Sequence, residues 1–166
     1  MADPDGTHQG GATVATMMTR AVITANPEMT VEEVASMLHQ YHITGMPVVD
    51  EHQRVVGVVS EMDVVRKKGR TVAAIMTSTP RTIEEHVPLA EVAELLMTER
   101  IRRLPVVRHG KLVGLISRTD LVRFFAQHQW ACAACGATQR GLEPPNSCPS
   151  CGAEGSFHLE EAPSGM

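Results

Sequence analysis

Aromatic side chains are scarce in this chain: one Trp, one Tyr and three Phe make up 3% of its 166 residues. A core must therefore come from Val, Ile, Leu, Met and Ala, and the 43% hydrophobic content is enough to build one. Cysteine is absent from the first 131 residues, which excludes a disulfide framework for most of the chain. No apolar run approaches the ~20 residues of a membrane helix. Residues 1–13 lack the hydrophobic core of a secretory signal and read as a flexible tail. Neither sign of charge dominates. Fifteen Lys and Arg stand against nineteen Asp and Glu, a net charge of −4, so there is no general attraction to nucleic acid or anionic lipid. There is no phosphate-binding Walker loop, nucleophile elbow or catalytic His/Cys pair, and the eight His, including His39 and His42, are scattered. An enzyme is not expected; a cytoplasmic protein is.

What the chain does contain, it contains twice. Residues 14–66 recur at 72–123. At a register of 58, Val14/Val72, Met18/Met76, Thr19/Thr77, Thr24/Thr82, Glu33/Glu91, Leu38/Leu96 and Pro47/Pro105 are among the identities. At a register of 57, Gly57/Gly114, Ser60/Ser117, Asp63/Asp120 and Arg66/Arg123 follow. A duplication of this kind is one supersecondary unit that buries its apolar face against its own copy. Such a pair makes a groove lined by equivalent residues.

Within each copy the periodicity changes from helix to strand. Val31, Val34, Leu38 and Tyr41 recur at helical spacing, and Thr30 with Glu33 has the capping-box pattern. Met46–Val49 and Arg54–Val59 are β-rich runs around the polar turn Asp50–Gln53. Leu104–Val107, the His109-Gly110 turn and Leu112–Ile116 repeat that pattern. A last helix follows Ser60 and Ser117, each three residues before an Asp. The expected fold class is therefore α/β (α+β), two β-α-β-β-α repeats related by a pseudo-two-fold axis, with Lys67–Arg70 as a basic linker.

A Ser hydroxyl and free amides at a helix start make a phosphate-sized anion site, and a carboxylate one turn on can accept a ribose diol. An isolated Ser-x-x-Asp is more often a helix cap. Two in matched positions of a repeat favour a ligand role.

The element order, the Met-Thr openings, the Pro-Val-Val strands and the Gly57–Asp63 and Gly114–Asp120 motifs resemble the CBS domain. These domains occur as tandem pairs, and the likeness covers residues 14–125. The resemblance implies binding of an adenosyl compound, AMP, ADP, ATP or S-adenosylmethionine, in composite clefts. One cleft would join Ser60 and Asp63 to Ala93, Ile101, Arg102 and Arg103. The other would join Ser117 and Asp120 to Thr30, Ala35, Ile43 and Thr44, with Thr24 and Thr82 as contacts to the base. Arg102-Arg103 stands where copy one has Thr44-Gly45, and Pro88 where it has Thr30, so the clefts are not equivalent. A homodimer is also implied, through helix faces expected to expose Leu38, Leu96 and Phe124.

All four cysteines fall in the last 35 residues: Cys132, Cys135, Cys148 and Cys151. Two CxxC pairs twelve residues apart point to a tetrahedral four-thiolate metal site. Gly136 and Gly152 follow the knuckles and permit their turns. The segment from Trp130 to Phe157 resembles a zinc ribbon, especially the rubredoxin-like tail of rubrerythrins, although Ala137 replaces the usual Tyr. Zinc or iron fits four thiolates, and zinc is the preferred reading.

The expected organisation is a tail (1–13), repeat one (14–68), repeat two (72–127), a metal ribbon (130–159) and a second tail (160–166). The expected function is a regulatory module that senses a small-molecule nucleotide, its ribbon bracing the module or touching a protein partner. An iron redox protein and a nucleic-acid-associated regulator are the alternatives, the last disfavoured by the acidic ribbon.

Overall fold

The computed structural model describes residues 11–163. Residues 1–10 and 164–166 of the expected tails lie outside these. Ala12 and Thr13 are already packed, with Ala12 O accepting from Leu89 N at 2.8 Å. The ribbon's last strand reaches Glu161, beyond the boundary expected at 159.

The elements run α1 (Val14–Met17), α2 (Val31–Gln40), β1 (Gly45–Val49), β2 (Val55–Ser60), α3 (Glu61–Arg66), α4 (Val72–Ile75), β3 (Thr77–Ser78), β4 (Ile83–Glu84), α5 (Leu89–Thr98), β5 (Arg103–Arg108), β6 (Lys111–Ser117) and α6 (Arg118–Gln127). Then come β7 (His128–Cys132), β8 (Thr138–Gln139) and β9 (Phe157–Glu161). The mixed α+β class and the helix–strand–strand–helix order of each copy are as the sequence predicts. Two features differ. Each copy opens with a four-residue helix, α1 or α4, that no periodicity announces. The opening strands are also minimal: copy one has a single parallel bridge, Ala25 to Val48, and copy two has the two residues of β4.

Contacts divide the chain into two compact units. Of the described residues, one comprises 11–18, His86–Arg103 and 116–163; the other comprises Thr19–Glu85 and Leu104–Leu115. They cut across the repeats: α4 of copy two packs Val72 and Ile75 into the core of copy one, while α1 falls in the unit of α5 and α6. Thr77 and Ser78 of copy two pair with Val58 and Gly57 on β2 of copy one. Gly57 fits the close approach there: a Cβ would stand 2.6 Å from Met76 Sδ and 3.0 Å from Thr77 O.

In the second unit, β1 and β2 pair antiparallel from Gly45↔Ser60 to Val49↔Val55. α2 is held at its start by a reciprocal cap, Glu33 N to Thr30 Oγ1 at 3.1 Å and Thr30 N to Glu33 Oε2 at 2.8 Å. It buries Val34 and Leu38 against Met46, Val48, Val59, Val72 and Ile75. Full burial of such side chains contributes roughly 1.5–3 kcal/mol each. In the first unit α5 starts at Pro88, which has no side-chain cap. Backbone from the N-terminal segment substitutes for the missing cap, Ala12 O receiving the Leu89 amide. Val14, Leu89, Val92, Leu96 and Phe124 are fully buried.

These burials correct one expectation. Leu38, Leu96 and Phe124 are core residues, at 7%, 0% and 0% exposure, and present no face to a partner. They occupy the inward stripe of their helices. Among the described residues, the large apolar side chains left in water are Met62, Val65, Met97, Val122 and Phe125, with Tyr41. Among the described residues no helix is long and apolar enough to cross a membrane.

Candidate functional site

The two Ser-x-x-Asp motifs close β2 and β6 and open α3 and α6. At the first, Asp63 Oδ2 accepts from Ser60 N (2.8 Å) and Ser60 Oγ (2.9 Å). At the second, Asp120 Oδ2 accepts from Ser117 N and Ser117 Oγ, both at 2.8 Å. Each Asp therefore folds back on its Ser. Each Asp also holds a cation from its own helix or the residue just after it: Lys67 Nζ lies 2.8 Å from Asp63 Oδ1, and Arg123 Nη2 lies 2.7 Å from Asp120 Oδ1. Burial alone would raise the Asp63 pKa. Hydrogen bonds from Lys67 and Ser60 outweigh it and hold the carboxyl below its ordinary value.

This geometry narrows the anion-site expectation. Both Ser hydroxyls are already donating, and the first amide of each helix is engaged: Glu61 N to Thr44 O at 3.0 Å, Arg118 N to Arg102 O at 3.3 Å. Segments 43–44 and 101–103 thus lie at the helix start of their own repeat, because β1 and β5 run alongside β2 and β6. Ile43, Thr44, Ile101 and Arg103 are half-buried there, and the Arg102 side chain is exposed. Thr30 is occupied as the α2 cap, Ala35 and Ala93 are half-buried on α2 and α5, and Thr82 is exposed before β4. Thr24 lines a shallow cavity of about 680 Å³ together with Asn26, Glu28, Asp50 and Arg54. Sequence reasoning missed Lys67 and Arg123, the partners of the two carboxylates. It also missed Arg118, which donates to Ile101 O (3.1 Å) and Leu96 O (3.3 Å). A basic residue three or four positions after the Asp was the available signal.

The four cysteines converge. Their sulfurs all lie within 4.8 Å of one another, with Cys132–Cys151 at 3.8 Å and Cys135–Cys148 at 3.6 Å. Such distances are too long for disulfides. They match the ~3.75 Å edge of a tetrahedron whose sulfurs sit about 2.3 Å from one ion. The two knuckles are built alike. Gly136 N donates to Cys132 O and Gly152 N to Cys148 O, both at 2.8 Å, and both glycines have φ of +75°. β7 and β9 support the first knuckle, pairing from His128↔Glu161 to Cys132↔Phe157. Buried Trp130 donates Nε1–H to Gly141 O at 3.0 Å.

The electrostatics call for a cation. Amides of Cys151 and Ser150 aimed at Cys148 hold its thiol down at about 6. At Cys135 the Ala137 amide acts in the same direction, but the crowding sulfurs of Cys151 and Cys148 prevail and push it up to about 12. Four sulfurs this close ionise together only around a positive charge. The donor set and spacing fit a four-thiolate metal centre.

Comparison with known proteins agrees with both halves. The CBS domain model matches residues 14–69 and 72–127, and the rubrerythrin, rubredoxin-like domain model matches 130–157. The chloroplastic CBS domain-containing protein CBSX1 of Arabidopsis thaliana is 30% identical over 160 residues, covering 74% of this chain and 68% of its own. An inosine-5'-monophosphate dehydrogenase of Methanocaldococcus jannaschii is 34% identical over 105 residues; the match covers 61% of this chain and only 21% of that enzyme. Among solved structures, CBSX2 in complex with AMP has a TM-score of 0.65 at 32% identity, covering 68% of this chain and 95% of its own. The CBS domain pair of protein MJ0100, in complex with 5'-methylthioadenosine and S-adenosyl-L-methionine, has a TM-score of 0.65 at 28% identity, covering 69% and 96%. This chain belongs to the CBS domain family, with two CBS domains followed by a rubredoxin-like four-cysteine domain.

Proposed function

We propose that the protein is a regulatory module that senses an adenosyl compound, AMP, ADP, ATP or S-adenosylmethionine, in clefts shared between its two repeats. The observation that carries this reading is the twin arrangement of Ser60/Asp63 and Ser117/Asp120. Two identical carboxylate–hydroxyl pairs end equivalent strands of a duplicated fold. Similar pairs, at 32% and 28% identity, have been solved with AMP and with S-adenosyl-L-methionine.

In this reading Ser60 and Asp63 act with Ala93, Ile101, Arg102 and Arg103, while Ser117 and Asp120 act with Thr30, Ala35, Ile43 and Thr44. Thr24 and Thr82 face the base. The first cleft, with arginines, takes the more highly phosphorylated ligand. The dehydrogenase activity of the longer relatives is not carried over, since this chain matches only a fifth of their length. The ribbon holds zinc as a structural ion and braces the module or meets a protein partner. Its reduced thiols suit the cytoplasm. The rubredoxin-like match over 130–157 favours iron as the second reading. Two modules form a homodimer.

Calorimetric titration with AMP, ADP, ATP and S-adenosylmethionine, with metal analysis of the same sample, tests this. Saturable binding of at least one ligand and one metal ion per chain is expected. No binding of any of the four overturns the sensor reading, and a visible ferric-thiolate absorption replaces zinc by iron.

A further inference from the structure

The cations beside the two carboxylates have a second partner, and it is the same in both copies. Lys67 Nζ, 2.8 Å from Asp63 Oδ1, also donates to Ile75 O at 2.9 Å. Arg123 Nη2, 2.7 Å from Asp120 Oδ1, also donates to Met17 O at 3.3 Å. Ile75 and Met17 are the last residues of the short helices α4 and α1 and stand 58 apart, the register of the repeat. The cations themselves are not equivalent. Lys67 is four residues after its Asp and Arg123 three, and Arg66, the counterpart of Arg123, is exposed. The same bridge is thus built with a different residue type at a different position, so duplication of the sequence alone does not explain it.

Acceptor capacity gives the bridge a consequence. A carboxylate offers about four lone-pair positions, two on each oxygen. In both copies Oδ2 is filled by the Ser amide and hydroxyl, and Oδ1 already accepts the cation. One position remains, whereas a vicinal diol donates two hydrogen bonds. A second hydroxyl can enter only by displacing one of these donors, the Ser hydroxyl or the cation. Where the cation gives way, its hold on the last carbonyl of the short helix loses the anchor that the Asp provides. A helix this short has little stability of its own; α4 and α1 are closed by Met76 N to Val72 O at 2.8 Å and Met18 N to Val14 O at 2.9 Å.

We propose that Lys67 and Arg123 are latches: each ties a ligand-facing Asp to the short helix of a Met-Thr segment, and a diol that grips the Asp releases that helix. This rests on the adenosyl reading of Asp63 and Asp120. On the Lys67 side the released segment includes β3, which pairs with β2, so occupancy reaches the sheet edge. The latch converts the binding of a ribose into a loosened segment.

Hydrogen exchange of the full-length, metal-loaded protein tests it, with binding followed by calorimetry. AMP is expected to speed exchange of the Met76 or Met18 amide about ten-fold, and 2'-deoxy-AMP, which lacks the diol, is expected to bind without doing so. Lys67→Met is expected to speed exchange at Met76 by a similar factor without ligand and to abolish the AMP response there, and Lys67→Arg to restore both. AMP binding with unchanged exchange at both amides, or Lys67→Met with unchanged exchange, overturns the latch while leaving the sensor reading intact. Absence of binding of AMP, ADP, ATP and S-adenosylmethionine alike in the calorimeter removes the sensor reading and the trigger together.

Discussion

Asp63 shows how much of the account turns on single atoms. Its carboxyl is held below the ordinary 3.8, since Lys67 and Ser60 outweigh burial. A depressed folded pKa means that the ionised form stabilises the native state above the unfolded pKa. That contribution is lost as pH falls through the folded value. The stability difference between wild type and Asp63→Asn is therefore expected to be constant at neutral pH and to vanish on acidification below the ordinary carboxylate range, as measured by urea denaturation against pH. A difference that grows on acidification contradicts the assigned hydrogen bonds. At the metal site, Cys148→Ser removes one of four sulfurs that stand 3.6–3.8 Å from their nearest partners. Structural zinc contributes on the order of 10 kcal/mol to small ribbons. Loss of the ion, with loosening of residues 130–158 and an intact repeat, is expected by metal analysis and NMR. Retention of a full equivalent of metal sinks the four-thiolate assignment.

Elements differ in how far the sequence announces them. The α2 cap was legible because Thr30 and Glu33 are three residues apart, and the contact they predict is local. Thr30→Ala is expected to cost about 1 kcal/mol by thermal unfolding. Changing Pro88 to Ala should cost far less, because that helix start depends on Ala12 O instead. The hairpins and the cysteine knuckles were legible for the same reason, their signals lying within a few residues. The four-residue helices were not, since Val14–Met17 and Val72–Ile75 are too short for any periodicity. Nor was the exchange of β3 onto β2, which depends on the fit of Gly57 beneath Met76 and Thr77. Leu38, Leu96 and Phe124 were assigned to the surface because amphipathic spacing identifies an apolar stripe without saying whether the rest of the chain covers it. The Asp partners of Lys67 and Arg123 are signalled locally, at i,i+4 and i,i+3, but the bond from Arg123 to Met17 spans 106 residues and has no local signal.

For the whole molecule, duplication leaves equivalent apolar residues exposed: Val65 is 80% and Val122 68% accessible, and these positions match at a register of 57. The proposed homodimer is expected to draw on Val65 and Val122. Light scattering is expected to give twice the chain mass at tens of micromolar, and Val65→Glu with Val122→Glu to give a folded monomer. A monomeric wild type removes the dimer.

The central claim is a nucleotide cleft completed by residues of both repeats, and titration of AMP against adenosine into wild type and Arg103→Ala tests it most directly. A charge-assisted hydrogen bond to phosphate is worth roughly 1.5–3 kcal/mol, about ten- to a hundred-fold in affinity. The account predicts that Arg103→Ala weakens AMP by that factor and leaves adenosine unchanged, while Asp63→Ala weakens both. AMP affinity unchanged in both Arg103→Ala and Arg102→Ala, with binding abolished in Asp120→Ala, would contradict the arginine-lined cleft and place the principal ligand in the other one.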